Sequence, residues 1–496
     1  MRKFLFILLA IIIVIILILP FLMGLLIEGE VKHQIGAMDF DNVQVKLLSY
    51  RNGWFSSNMR IEVKKKIPSA IQTLLDKKLP NGMIYQGDLR IAHGPIAMAY
   101  NLKHHRELYW GQGVLTGTFT LLSPKASTFS HYEGLNTPAK LFGVISLSGL
   151  THITATHSGV KYNDQNKGLL LTIGNIVSHV TLNRNPNDIE GLSTINKLDI
   201  STKSIQTIFS PIKVHYHFSK TDEDNWMGKQ FLTVKKIMVG KGGATFATID
   251  GLQVNANNTV TKNLGNFFQD ITVQHIGAMS FNFNQLQMVA VASNLNMAAR
   301  KHLLSIIRDK SFKKLPKEEQ KKILMGSLWK ALEGSSYQLK TLQAKTPIGF
   351  VKATGYFSFP QTLESSNKTA PNFDNIIQSG KGELSVDLPN NTSSLLPAIM
   401  GPGPVLPKGE SKNTTPAQSE IANVMIEKAY QSGYLVKKGD RFVGRVRLAH
   451  GNIYLNGKKL PLSFHNKEPK QPQVKPNMNI QIPMARPSEE SSVNAE

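Results

Sequence analysis

Histidine carries most of the chemistry this chain could offer. LRIAHGPIAM at residues 89–98 returns as VRLAHGNIYL at 446–455, so His93 and His450 each follow a short apolar–basic alternation and precede a glycine. A paired histidine could act as a general base, but it needs an orienting partner and a substrate atom within about 3 Å, and no motif beside either histidine supplies them. Both stretches are expected to be strands that end in a turn, two hairpins built alike, with glycine taking positive φ. His215 and His217 form a His-x-His, which places both rings on one face of a strand and would ligate a metal if a third ligand joined them. Lys213 shares that face and would repel a cation, so the face is read as solvated and no metal is expected. His104 and His105 are adjacent and point apart in a strand. GQGVLTG at 111–117 has the glycines of a dinucleotide loop, yet TFTLL follows where the phosphate-binding helix should begin. No catalytic residue and no cofactor is assigned.

Composition narrows the chemistry further. The 496 residues contain no cysteine, which excludes thiol catalysis and thiolate metal sites. Lys and Arg total 57 against 34 Asp and Glu, a formal net charge of +23, and the excess is spread along the chain. Nucleic-acid binders focus their charge on one face and interleave it with stacking aromatics, so no nucleic acid is expected as partner. A diffuse positive field suits an anionic lipid surface or glycan better than nucleic acid, and simple solubility accounts for the charge as well.

The elements that would position these residues begin with FLFILLAIIIVIILILPFLMGLLI, residues 4–27, which hold no charge. At about 1.5 Å per residue this run can cross a hydrocarbon core of about 30 Å. It is too long for the apolar region of a cleavable signal, and no small-residue cleavage site follows it. Arg2 and Lys3 precede it while Glu28 and Glu30 follow, so residues 1–3 are expected in the cytosol and everything beyond is exported. Acceptor sequences for N-glycosylation occur at Asn257, Asn367, Asn390, Asn391 and Asn413, but a eukaryotic ectodomain of this size would carry disulfides. The expected location is a bacterial inner membrane, single-pass, with the bulk periplasmic.

Residues 28–462 read as an extended, mainly antiparallel β ectodomain with a few inserted helices. SNMRIEV (57–63), GVISLSGLTHITAT (143–156) and KVHYHF (213–218) alternate apolar and polar residues with period two. Helical spacing predicts helices over 69–79, 295–310, 316–332 and 415–431. QIGAMDF (34–40) resembles HIGAMSF (275–281), which raises two related halves with a break near 270–300. The Pro/Gly-rich stretch 397–414 is expected to be a loop, and 463–496 a disordered tail.

RNGWFSS (51–57), AHGPI (92–96), DNWMGKQ (224–230), KTPIG (345–349), SGYLVKKGDRF (432–442) and GNIYLNGKKLPL (451–462) follow the anchor in order. In these landmarks the chain resembles the YdgA-like family of bacterial proteins, a domain of unknown function. The resemblance implies an inner-membrane-anchored periplasmic protein that dimerises and has no assigned enzymatic activity. Its landmark positions here are Trp54, His93, Gly94, Pro95, Trp226, Gly228, Pro347, Gly349, Asn456 and Gly457. The expectation is therefore a non-enzymatic envelope protein that binds lipid or a protein partner through its β ectodomain. Two rivals stand beside it: an envelope glycan hydrolase using a carboxylate pair or His93 with His450, and a dimeric structural scaffold.

Overall fold

A computed structural model describes residues 2–66, 82–97, 111–122, 132–164, 168–183, 187–221, 225–361, 378–389 and 424–463, apart from isolated positions within them, and the side chains of the first helix from Ile18 onward. One antiparallel sheet runs through nearly all of these segments. Val43–Asn52 pairs with Ser56–Lys66, which pairs with Gly82–His93, and that strand with Gly111–Leu122. The ladder continues through Ala139–Ser146, Thr151–His157, Ile176–Leu182, Asp188–Ile195 and Gln206–Lys220. Four long strands follow, Trp226–Lys241, Ala244–Thr261, Leu264–Ala278 and Phe281–Asn296. Ser336–Thr346, Gly349–Ser358, Lys381–Pro389, Arg441–Ala449, Asn452–Leu455 and Lys458–Ser463 complete it. A short side ladder, in which Leu169–Ile173 pairs with Val160–Asp164 and Leu198–Ser201, joins the start of Gln206–Lys220.

The turns explain how so many neighbours in sequence become neighbours in space. Lys262–Asn263, Gly242–Gly243, His450–Gly451 and Asn456–Gly457 each place two consecutive residues at positive φ between paired strands. That backbone matches the right-handed twist of the flanking strands, and Gly and Asn reach it at least cost. Asn456 also accepts a hydrogen bond from Arg445 N at 2.8 Å and donates to Tyr434 O at 2.7 Å, which ties its hairpin to the preceding chain.

Three helices longer than one turn are bounded among the described residues. Helix α1 is Arg2–Ala37, with Pro20 inside it. Helix α2, Met297–Arg308, starts where Asn296 accepts from Ala299 N, and α3, Lys317–Leu332, follows Pro316 with Glu318 and Glu319 in its first turn. These fit the helices expected over 295–310 and 316–332. The alternation expected to run through 143–156 is divided into two strands that pair with each other.

Several expectations meet a different structure or none. Gln34 and Ala37 lie in the last turn of α1, whereas His275–Ala278 ends a strand, so the two similar segments have different conformations. Leu264–Ala278 pairs with Phe281–Asn296, so adjacent paired strands occupy the expected break. Among the described residues no helix is long and apolar enough to cross a membrane. The expected helix over 69–79, most of that over 415–431, the loop 397–414, nearly all of the tail 463–496, Pro95, His104, His105 and Pro347 lie outside the described residues.

Candidate functional site

Paired residues in an antiparallel sheet project to the same face, so the register sorts the side chains of the whole ladder into two sets. One row reads Tyr50, Met59, Leu89, Gly117, Leu141, Ala155 across the first strands. It passes through Ser178 and Ser193 and goes on as Val214, Leu232, Val254, Ile271, Met288, Leu342, Ala353 and Val386. Only small or apolar residues and one tyrosine occupy it. The adjacent row on the opposite face reads Arg60, Asp88, Thr118, Lys140, Thr156, Val177, Thr194, Lys213, Thr233, Gln253, Thr272, Gln287, Gln343, Lys352 and Asp387. These two rows give the sheet an apolar side and a polar side, with Gln230 and Gln269 among the polar residues of the next row on the apolar side. At about 4.8 Å between strands the apolar row extends for on the order of 75 Å.

The apolar face is treated differently at its two ends. At the N-terminal end α1 lies on it, and Ile27, 1% exposed, is packed among Met59, Ile61, Leu89, Ile91, Leu115 and Ile145. Helix approach here depends on Gly24, because a Cβ at that position would collide with Asn52 Oδ1 and the His93 ring. Gly94, at φ +76°, sits equally close to the Pro20 ring. At the C-terminal end the same face forms a groove of about 530 Å3. Ala290, Ala292, Gly355 and Gly382 line it as small residues, and Tyr337, Leu339, Phe357, Leu384, Val446 and Leu448 as large ones. Leu384 and Val446 are 41% and 37% exposed, which is high for aliphatic side chains on the core-facing side of a sheet.

Beneath α1 lies a small polar cluster. Ser57 and His93 are both fully buried. Ser57 Oγ donates to Asn52 Oδ1 at 2.9 Å and lies 3.1 Å from His93 Nε2. The tautomer of His93 sets which of the two donates in that contact. His93 Nδ1 and Asn52 Nδ2 are buried without hydrogen-bond partners. Burial pushes the His93 pKa down from its ordinary value, and the Pro20 carbonyl opposes that in part. A neutral imidazole sealed under a helix has no route to a substrate, so Ser57 and His93 read as a docking contact rather than a nucleophile and base.

The two His-Gly stretches are not built alike. His93 is the last residue of its strand and faces α1, while His450 is itself a turn residue at φ 50° in a two-residue hairpin. The shared residues before them, Leu89 with Ile91 and Val446 with Leu448, do occupy the apolar face in both. The histidines fall near opposite ends of the ladder, so they form no common site. His215 Nε2 lies 3.2 Å from Glu190 Oε1 and His217 Nε2 lies 2.7 Å from Asp188 Oδ1, all four on the polar face with the histidines more than half exposed. Among the described residues no group of three or more His, Asp or Glu is placed to hold a metal ion.

The other landmark positions have structural roles. Trp54 is half exposed, with its ring 5.5 Å from that of Phe21 in α1. Trp226 opens a strand opposite Lys220. Gly228 sits at φ 151°, where a Cβ would strike the backbone of His217. Gly349, at φ 127°, begins its strand opposite Thr346. What reasoning from sequence missed is the docking of α1 through Pro20, Gly24 and Ile27, because an apolar run of membrane length hides any amphipathic pattern within it. Gly24 beside Pro20 was the available signal.

A family model described as a bacterial protein of unknown function (DUF945) matches residues 1–463. Neither a curated protein nor a solved structure matches the chain.

Proposed function

From a chain that belongs to this bacterial family, DUF945, we propose a non-enzymatic inner-membrane protein of the cell envelope whose periplasmic sheet binds lipid acyl chains along its apolar face. Residues 4–27 hold it to the bilayer, with residues 1–3 cytosolic. The observation that carries the reading is the uncharged row from Tyr50 to Val386, apolar or small apart from Tyr50 and the Ser178–Ser193 pair, beside which the groove opens at Leu384 and Val446. A soluble sheet that faced water on both sides would place charged residues in such rows; the row from Tyr50 to Val386 holds none. The groove offers contacts to methylene groups and few polar ones, which suits the chains of a lipid rather than a sugar or a peptide. A net charge of +23 adds a general attraction to anionic headgroups.

The test is photocrosslinking in cells with a benzophenone amino acid in the full-length protein. Placed at Leu384 or Val446, it should yield adducts whose mass spectra contain phospholipid. Placed at Ser385 or Arg447 on the other face, it should not. Equal lipid adducts on both faces, or none at Leu384 and Val446, would reject lipid binding.

A further inference from the structure

We infer that the N-terminal end of the sheet is sunk into the periplasmic leaflet, with Trp54 in the bilayer interface and the exposed side of α1 completing the membrane span. The inference rests on the anchor reading of residues 4–27 and concerns where that anchor ends.

The argument begins with a length. Pro20 of helix α1 is fully buried against the sheet, so at most residues 4–19 can span the bilayer clear of it. Residues 4–19 provide about 24 Å of helix at about 1.5 Å per residue. A hydrocarbon core of about 30 Å is left short by about 6 Å, or roughly one turn. The next turns must therefore enter the bilayer as well, and the strands packed on them go with them.

The surface of those turns is suited to lipid on the side away from the sheet. Ile18, Leu19, Leu22, Leu25 and Leu26 are each at least 45% exposed and form one stripe at helical spacing, while Pro20, Gly24 and Ile27 face inward. The stripe continues the apolar run without interruption. It stops where the exposed positions become Gly29, Lys32 and His33. A change from leucine to charge on one helix face shows that by Lys32 the helix is among the headgroups, about two turns beyond the level near residue 23 where the length argument ends the hydrocarbon.

The sheet carries matching groups at that level. Tyr50 Oη lies 3.4 Å from the Gly24 carbonyl, and the turn after Asn52 brings Trp54 against Phe21. Trp54 is half exposed at the tip of this turn, an amphipathic ring of the kind that settles in the interface. Arg51 and Arg90 are exposed beside it on the polar face, and Arg90 Nη2 reaches Ser56 Oγ at 3.5 Å. Guanidinium groups at this height would meet lipid phosphates. With the first strands sunk in this way, the covered end of the apolar face lies level with the acyl chains of the leaflet from which the groove would be filled.

The experiment uses full-length protein with a single tryptophan at position 54, the other three replaced as Trp110→Phe, Trp226→Phe and Trp329→Phe. It is reconstituted in vesicles of phosphatidylethanolamine and phosphatidylglycerol that contain phosphatidylcholine brominated at shallow acyl positions. A second protein keeps Trp226 alone, farther along the ladder. The expected result is flotation of both proteins with vesicles and quenching of Trp54 at least about twofold stronger than that of Trp226. Flotation with equally weak quenching of both would overturn the sunken sheet while leaving the anchor standing. Failure to float would remove the anchor, and the inference with it.

Discussion

The two ends of the apolar face have the same chemistry and opposite neighbours. At one end Ile27 of α1 fills the space over Leu89, Ile91 and Leu115; at the other, Leu384 and Val446 keep about two-fifths of their surface in contact with solvent. An apolar row that is covered contributes to stability in proportion to the area it buries, whereas one left open must be tolerated for another reason. The contrast teaches that the face is continuous in sequence pattern but divided in role, with a core under the helix and a binding surface beyond it.

Breaking the covered end should have the largest effect. Ile27→Ala leaves a void among six other packed core residues and is expected to cost about 2–5 kcal/mol. Thermal unfolding of the detergent-solubilised protein, followed by circular dichroism, would measure it. Gly24→Ala tests the same contact from its tightest point, since the added methyl meets Asn52 and His93 directly. If Ile27→Ala melts like the parent protein, α1 is not docked and the comparison between the ends collapses.

The next effect depends on pH and again belongs to the covered end. Burial lowers the pKa of His93 below its ordinary value of 6.5, so the folded state holds a proton less readily than the unfolded chain does. The stability contributed by the neutral ring is fully present above pH 6.5 and declines as the pH falls below it. The melting temperature should therefore drop between pH 7 and pH 5, and drop less in His93→Gln. A pH profile identical in the two proteins would show that the cluster under α1 does not sense protons.

Much of this division was legible in the residues before any fold was known. Alternation in SNMRIEV and KVHYHF assigns Met59, Ile61, Val214 and Phe218 to the buried face, and the register places them there. Helical spacing predicts the helices near 295 and after Pro316, and both form. What the pattern could not carry was long-range placement. His93 and His450 share a local motif, yet one is covered by a helix some seventy residues earlier in the chain and the other occupies a tight turn. Local period two gives a face; only the pairing of distant strands says that the faces of all the strands align.

At the open end the expected loss of stability is small and the loss of function large. Leu384→Asp puts a charge on a half-exposed site and should cost less than about 1 kcal/mol. It should also remove lipid adducts from a crosslinker at Val446, its cross-strand neighbour. Ile27→Ala and Leu384→Asp thus have inverse signatures. A strongly destabilised Leu384→Asp would mean that this end, too, is core.

The smallest effect is expected on the polar face, which serves as the reference for both ends. His217 and Asp188 are 2.7 Å apart, but the histidine side chain is 56% exposed and the pair is screened by water. His217→Ala should change stability by no more than about 0.5 kcal/mol at neutral pH, and lipid crosslinking at Val446 not at all. The sheet would otherwise be coupling its two faces, since Tyr216 and Phe218 stack with centroids 5.9 Å apart on the apolar side immediately beside His217. A measurable loss of lipid adducts in His217→Ala would therefore move the binding function from a surface property of one face to a property of the sheet as a whole.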